Sequence, residues 1–201
     1  FAVAANPRRD GGAKAEGRNR MVLYTESMGM ALRARTSLEA ELRLALERGE
    51  FEVHYQPRMA VRKRSILGAE ALVRWRHPVH GLVGPDVFIP MSERLGLIGR
   101  LGMFVFETAV RQQTEWAARG HDLQISVNLS PLQLADPHLV TRMAAVLARF
   151  GCPPSRIELE VTESMLLGHE ERPIAVLQAI QALGMSIALD DFGTGYSNLA
   201  Y

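Results

Sequence analysis

From residue 123 onward the chain repeats one order: a short strand-like run, a turn containing Gly or Pro, and a helical stretch. The strand-like runs are Leu123 to Leu129, Ile157 to Thr162 and Ser186 to Asp191, and the helical stretches between them are Pro137 to Phe150 and Pro173 to Leu183. Strands alternating with helices of this length pair in parallel through right-handed crossovers. Both an open doubly wound sheet and a barrel satisfy that order, and periodicity alone does not choose between them. The side-chain alternation does. One parity is apolar: Ile125, Val127 and Leu129; Ile157, Leu159 and Val161; Ile187 and Leu189. The other is small or polar: Ser126 and Asn128; Glu158, Glu160 and Thr162; Ser186, Ala188 and Asp190. Each polar series places an oxygen-bearing residue toward the C-terminal end of its strand. A barrel accounts for this, with apolar residues facing outer helices and polar ones converging on the C-terminal mouth.

The preceding segments feed into that pattern. Thr36 followed by Glu39 is a capping box, and Leu38, Leu42, Ala45 and Leu46 form one stripe ending at Gly49, which predicts a helix over 36–48. Phe51 to Val61 and Ile66 to Trp75 read as two strands joined by the polar Arg62-Lys63-Arg64-Ser65. A Pro/Gly-rich stretch runs from His77 to Pro90. One long helix is then predicted to about Arg119, with Val105, Ala109, Gln112 and Trp116 on one face and Gly120 beyond its end. Met103, Phe104 and Phe106 read as core. Residues 1 to about 20 carry breakers at Asn6-Pro7 and Gly11-Gly12 and no lasting period, and Met21 to Tyr24 reads as one short strand.

Composition narrows the function. At 201 residues, 47% hydrophobic and 22% charged, the chain can bury one sizeable core. Its 23 basic and 22 acidic residues nearly cancel, so nothing marks a DNA or RNA polymer as partner. The longest apolar stretches, such as Leu101 to Phe106, fall far short of the roughly 20 residues that span a bilayer. With Cys152 as the only cysteine no intramolecular disulfide can form, which fits a reducing compartment, and Cys152 reads as a packed thiol. The chain opens on Phe1 and closes on Tyr201 within a loop-to-helix transition, so sequence is expected beyond both ends.

The acidic and amide residues at the strand ends are Glu70, Asn128, Glu160, Asp190 and Asp191, with no His or Cys at metal-ligand spacing. Taken singly each has a plain reading: Glu70 a surface acid, Asn128 a turn cap, Asp190 and Asp191 turn formers before Gly193, and Arg74 the partner of a surface acid. Their convergence in one mouth is what argues for chemistry. Hard oxygen donors suit Mg2+ or Mn2+, and carboxylates gathered in one mouth repel one another unless a divalent cation neutralises them. So many carboxylates suffice for two cations, a known device for phosphodiester hydrolysis. Arg74 shares the parity of Glu70 and can clamp a phosphate.

These residues also fall in recognisable motifs. Glu70-Ala71-Leu72-Val73-Arg74-Trp75, Val127-Asn128-Leu129-Ser130, Glu160-Val161-Thr162-Glu163-Ser164 and Asp190-Asp191-Phe192-Gly193-Thr194-Gly195-Tyr196-Ser197 occur in the order that resembles the EAL family of cyclic di-GMP phosphodiesterases. The resemblance covers about 36–201. It implies a modified TIM (β/α)8 barrel, truncated after about the fifth strand, that hydrolyses cyclic di-GMP to linear pGpG with two Mg2+ or Mn2+ ions. By the same resemblance Glu70, Asn128, Glu160, Asp190 and Asp191 would hold metal, Glu70, Asp190 and Asp191 serving catalysis. Gln56 and Arg74 would contact substrate, and Glu163 would steady the loop after Asp191. Residues 1–24 are similar to the tail of a GGDEF domain, with Ala13-Lys14 and Gly17-Arg18-Asn19-Arg20 as the matching stretch and 25–35 as linker. The cyclase motif itself is absent, so no cyclase activity is expected.

The resemblance further implies a cytoplasmic location, with any membrane tether supplied by upstream segments, a homodimer of the complete domain, and upstream GGDEF and sensor domains. Family members continue through further strands supplying a lysine, a glutamate and a glutamine, so the 201 residues alone are expected to be inactive. The alternative implied by the family is a receptor that binds cyclic di-GMP without cleaving it.

Overall fold

The computed structural model describes residues 37–60, 65–162 and 171–190. The expected Met21 to Tyr24 strand, Thr36, Arg62 to Arg64 of the expected Arg62–Ser65 connection, Glu163, Asp191 and the GGDEF-like stretch lie outside these residues. The chain divides into two compact units, 1–40 and 41–201, and the described residues of the first, 37–40, are helical.

Helix α1 covers 37–45, ending three residues before the expected stop in a turn that closes at Gly49 with φ 67°. Strands β1 (Phe51–Ala60) and β2 (Ser65–His77) form the expected hairpin, Phe51 opposite Trp75 and Gln56 opposite Glu70. After them come β3 (Gly81–Val83), α2 (Pro85–Arg94), α3 (Ile98–Ala118), β4 (Gln124–Asn128), α4 (Pro131–Leu134), α5 (Leu139–Phe150), β5 (Ile157–Thr162), α6 (Glu171–Ala182) and β6 (Ser186–Asp190). The sheet runs β1-β2-β4-β5-β6, with β3 turned back onto β2, and the pairs β2·β4, β4·β5 and β5·β6 are parallel. The fold is thus α/β and TIM-barrel-like: a twisted wall of parallel strands with helices on its outer face.

Two sequence expectations need correction. The helix is not confined to the residues after Pro90, since α2 begins at Pro85 and the Pro/Gly-rich stretch before it holds β3. Nor is there one long helix to Arg119, because α2 and α3 are separated at Gly96, whose φ of 68° belongs to the left-handed region. There Leu97 N–H donates to Ser92 O at 2.7 Å and Gly96 N–H to Glu93 O at 3.1 Å, closing α2 as a glycine-capped end. Pro85 at the first helical position and Gly96 past the last were the available signals. The inward glutamine of α3 is Gln113, fully buried, rather than Gln112. Its amide accepts from the Cys152 thiol at 3.3 Å.

The outer faces of the strands make the core. Ile125, Val127, Ile157, Leu159 and Val161 are all at most 3% exposed. They pack against Val105, Phe106, Ala109 and Val110 of α3, Leu139, Met143 and Leu147 of α5, and Leu177 and Ile180 of α6. Fully burying such a side chain contributes about 1.5–3 kcal/mol. The apolar parity therefore faces the helices as the alternation required, except at Leu189, which is 47% exposed where no described helix follows β6.

Two predictions arise from this core. An added Cβ at Gly102 would collide with the side-chain amide of Gln133, which is buried and accepts from Ser130 N–H at 3.1 Å. Gly102→Ala is expected to push that amide off its bond to Ser130, and with the helix preference for Ala offsetting part of the cost the net loss is about 1 kcal/mol, read as a lowered denaturant midpoint at unchanged slope. Burial pushes the Cys152 thiol up to about 11, with Asp122 adding to the shift. A thiolate fraction of about one in a thousand at pH 8 should leave Cys152 unreactive toward a disulfide reagent until the protein is denatured.

Candidate active site at the strand C-termini

The polar parity of β2, β4, β5 and β6 lies on the face opposite the helices, and register brings its members side by side. Glu70 is level with Ser126, Asn128 with Glu160, and Thr162 with Asp190. Because the three pairs are parallel, all these residues approach the same end of the sheet. Asn128 Nδ2 donates to Glu70 Oε1 at 2.8 Å, a bond that ties β4 to β2 across the mouth. Gln56 is exposed on β1 directly opposite Glu70. Asp191 and Glu163 lie outside the described residues.

Electrostatics mark the same spot. Glu160, with its side chain 12% exposed, is held above the ordinary carboxylate range, first by burial and then by the carboxylates of Glu70 and Asp190. The Ser126 hydroxyl and Arg58 act in the opposite direction. Ser126 Oγ is fully buried and among the described residues has no hydrogen bond of ordinary geometry, so its contact with Glu160 is a loose polar one. A half-buried carboxylate with two more carboxylates acting on it fits a hard divalent cation in kind, and the donor set is all oxygen. The described side chains ring the mouth rather than meet at one point. Among the described residues no three Asp, Glu, His or Cys side chains are disposed as a metal-binding group.

Beside these carboxylates a cavity of about 450 Å3 opens between the end of β2, helices α2 and α3, and the end of β4. Arg74, Asp86, Glu93, Asn128 and Ser130 are among its polar lining residues. Arg74 thus shares the cavity wall with Asn128, while its guanidinium donates to Val73 O at 2.9 Å. Ser130 caps α4, completing a capping box with Gln133, and its hydroxyl donates to Glu93 at 2.7 Å. That short helix is absent from the sequence expectation, although Ser130, Pro131 and Gln133 form the capping pattern that announces it. Sequence reasoning also passed over Arg58, which shares the parity of Gln56 and forms ion pairs with Glu158 at 2.5 Å and Glu160 at 3.5 Å.

The layout defines a TIM-barrel-like α/β domain whose inner face gathers carboxylates and a carboxamide at the C-terminal ends of its strands. Residues 39–201 match the EAL domain, and the chain belongs to that family. It is 42% identical over 190 residues to the bifunctional diguanylate cyclase/cyclic di-GMP phosphodiesterase MucR of Pseudomonas aeruginosa, covering 94% of this chain and 28% of that protein. It is 39% identical over 188 residues to the cyclic di-GMP phosphodiesterase PdeR of Escherichia coli, again covering 94% of this chain and 28% of the relative. Among solved structures, the Pseudomonas aeruginosa MucR phosphodiesterase in complex with c-di-GMP superposes with a TM-score of 0.78 at 43% identity, over 82% of this chain and 67% of that one. The chain spans little more than a quarter of the length of these two curated relatives. No described helix is long and apolar enough to cross a membrane.

Proposed function

We propose that this EAL domain hydrolyses cyclic di-GMP to linear pGpG in a reaction that depends on two divalent cations, Mg2+ or Mn2+. The observation that carries the proposal is the Glu70–Asn128 bond of 2.8 Å beside the carboxylate of Glu160, which gathers side chains from β2, β4 and β5 at one mouth. The relatives that carry cyclic di-GMP in their names support the choice of substrate.

In this reading Glu70, Asn128, Glu160 and Asp190 hold cations, and Asp191 completes the second position. When bound, the cations supply Lewis-acid charge on the attacked phosphate and lower the pKa of water toward neutrality. Asn128 would offer its carbonyl oxygen as a ligand, and its amide bond to Glu70 would hold the two side chains in place together. Arg74, on the cavity wall next to Asn128, clamps a phosphate oxygen pair of the substrate, and Gln56 reaches it from β1. Glu163 steadies the loop that follows Asp191. Residues 36–201 form the EAL domain in this scheme, 25–35 a linker and 1–24 the tail of a GGDEF-like domain. The complete domain would act as a homodimer in the cytoplasm behind upstream sensor segments.

The test is to incubate the full-length protein with cyclic di-GMP and Mn2+ or Mg2+ and to separate the products chromatographically. Metal-dependent appearance of pGpG, stopped by a chelator and restored by added cation, is the expected result. Tight binding of cyclic di-GMP that survives chelation, with no turnover, would replace the enzyme by a receptor.

A further inference from the structure

Below the mouth, the inner face carries a second polar layer that the proposed chemistry does not use. Arg58 on β1 lies level with Gly68 of β2, which in turn is level with Gln124 of β4, while Glu158 of β5 is level with Ser186 of β6. The Arg58 guanidinium crosses this layer. One Nη donates to Glu158 at 2.5 Å and reaches Glu160 at 3.5 Å, and the other reaches Gln124 at 3.3 Å. Gln124 then donates to Ser186 at 3.0 Å, and Ser186 to Glu158 at 3.4 Å.

Two features of the backbone make room for this crossing. Gly68 supplies no side chain at the point where Arg58 passes: an added Cβ there would collide with the Gln124 carbonyl and lie 3.5 Å from the guanidinium. The register of β1 on β2 shifts just after Arg58, with Met59 opposite Ile66, and such bulges re-aim the side chains beside them.

We propose that Arg58 is an internal counter-ion for the metal site, holding Glu158 out of the ligand set and setting how strongly Glu160 attracts a divalent cation. The inference rests on the metal-site reading above. Its logic is charge arithmetic on one face. Glu158 and Glu160 share a parity two residues apart, so both are chemically able to serve as ligands. Arg58 makes the shorter contact with Glu158 and the longer one with Glu160, which leaves the carboxylate nearer the mouth as the one a cation can claim. Removing Arg58 adds one unit of net negative charge beside the site, and removing the Glu158 charge turns the guanidinium wholly toward Glu160.

The two changes therefore have opposite signs, and Mn2+ titration of the full-length protein, followed by loss of the free-ion paramagnetic resonance signal, reads both. Arg58→Met is expected to bind Mn2+ about tenfold more tightly, and Glu158→Gln about tenfold more weakly, than the unaltered protein. Arg58→Lys, which restores the charge without the fork, should return affinity to within about twofold. The double variant R58M/E158Q removes both charges together and should lie between the single ones, which keeps the test open if Arg58→Met alone fails to fold. Unchanged or weaker binding by Arg58→Met, or unchanged binding by Glu158→Gln, would overturn the inference while leaving the phosphodiesterase reading intact. Absence of both Mn2+ uptake and turnover in the unaltered protein would remove that reading and this one together.

Discussion

Glu70→Ala in the full-length protein is expected to lower metal-dependent hydrolysis of cyclic di-GMP by at least about 10^3-fold, with almost all of the loss in kcat. The size follows from what the side chain touches. Its Oε1 accepts the Asn128 amide at 2.8 Å, and its charge is among those acting on Glu160. Alanine therefore removes one proposed ligand, releases a second from its orientation and lessens the negative potential on a third. The loss is chemical rather than structural, because Glu70 is only half-buried and its removal leaves the apolar face of β2 untouched. A thermal midpoint close to that of the unaltered protein, together with weakened Mn2+ uptake, is the accompanying signature. Glu70→Gln separates charge from position: it can keep a bond to Asn128 but not the carboxylate, and it should be nearly as inactive as alanine. Turnover close to normal in either variant would end the assignment of Glu70 as a ligand.

Arg74→Ala should behave differently. The guanidinium lines the cavity beside Asn128 and, among the described residues, is engaged with a main-chain carbonyl and not with the carboxylates, so its loss should fall on substrate affinity. A KM raised by roughly tenfold or more, with kcat changed far less, is the expected split. Equal losses in kcat and kcat/KM would move Arg74 from holding the substrate to stabilising the transition state.

The parts of this molecule that were legible in its sequence are those fixed by period. Alternation in β4 and β5 places Ile125, Val127, Ile157 and Leu159 in the core, and by the same geometry puts Ser126, Asn128, Glu158 and Glu160 on one opposite face. What period cannot supply is depth along the barrel axis. Glu158 and Glu160 are indistinguishable by parity, and only the register with β1, where Arg58 lies level with Gly68, separates the paired acid below from the one at the mouth. The break between α2 and α3 was hidden for another reason. Leu95, Leu97, Ile98 and Leu101 keep a helix-like apolar pattern across Gly96, and the chain turns there because that glycine adopts a left-handed conformation. Likewise Gly68 in the family motif region reads as an ordinary strand residue until the closeness of the Gln124 carbonyl shows why a side chain is excluded.

Mn2+ uptake should weaken with acid earlier than an ordinary glutamate would cause, and Glu160 is the reason. Burial and the carboxylates of Glu70 and Asp190 raise its proton affinity, so in the metal-free protein it holds a proton at pH values where a solvated glutamate is already ionised. A cation needs the carboxylate, hence uptake must expel that proton. The sign for stability is the reverse. A pKa raised in the folded state contributes stability that is complete below the unfolded value and lost as pH rises through the folded one, so the metal-free protein should lose stability over that window. Cation binding offsets the loss, and the gain in thermal midpoint on adding Mn2+ should therefore grow with pH across it. Titrations carried down toward the ordinary glutamate range should show affinity falling as pH is lowered, toward the limit of about tenfold per pH unit for one proton displaced. Glu160→Gln should bind Mn2+ more weakly at the upper end and with a flatter pH dependence. A slope unchanged by that substitution would place the displaced proton on another group of the mouth, with Glu70 and Asp190 the next to replace.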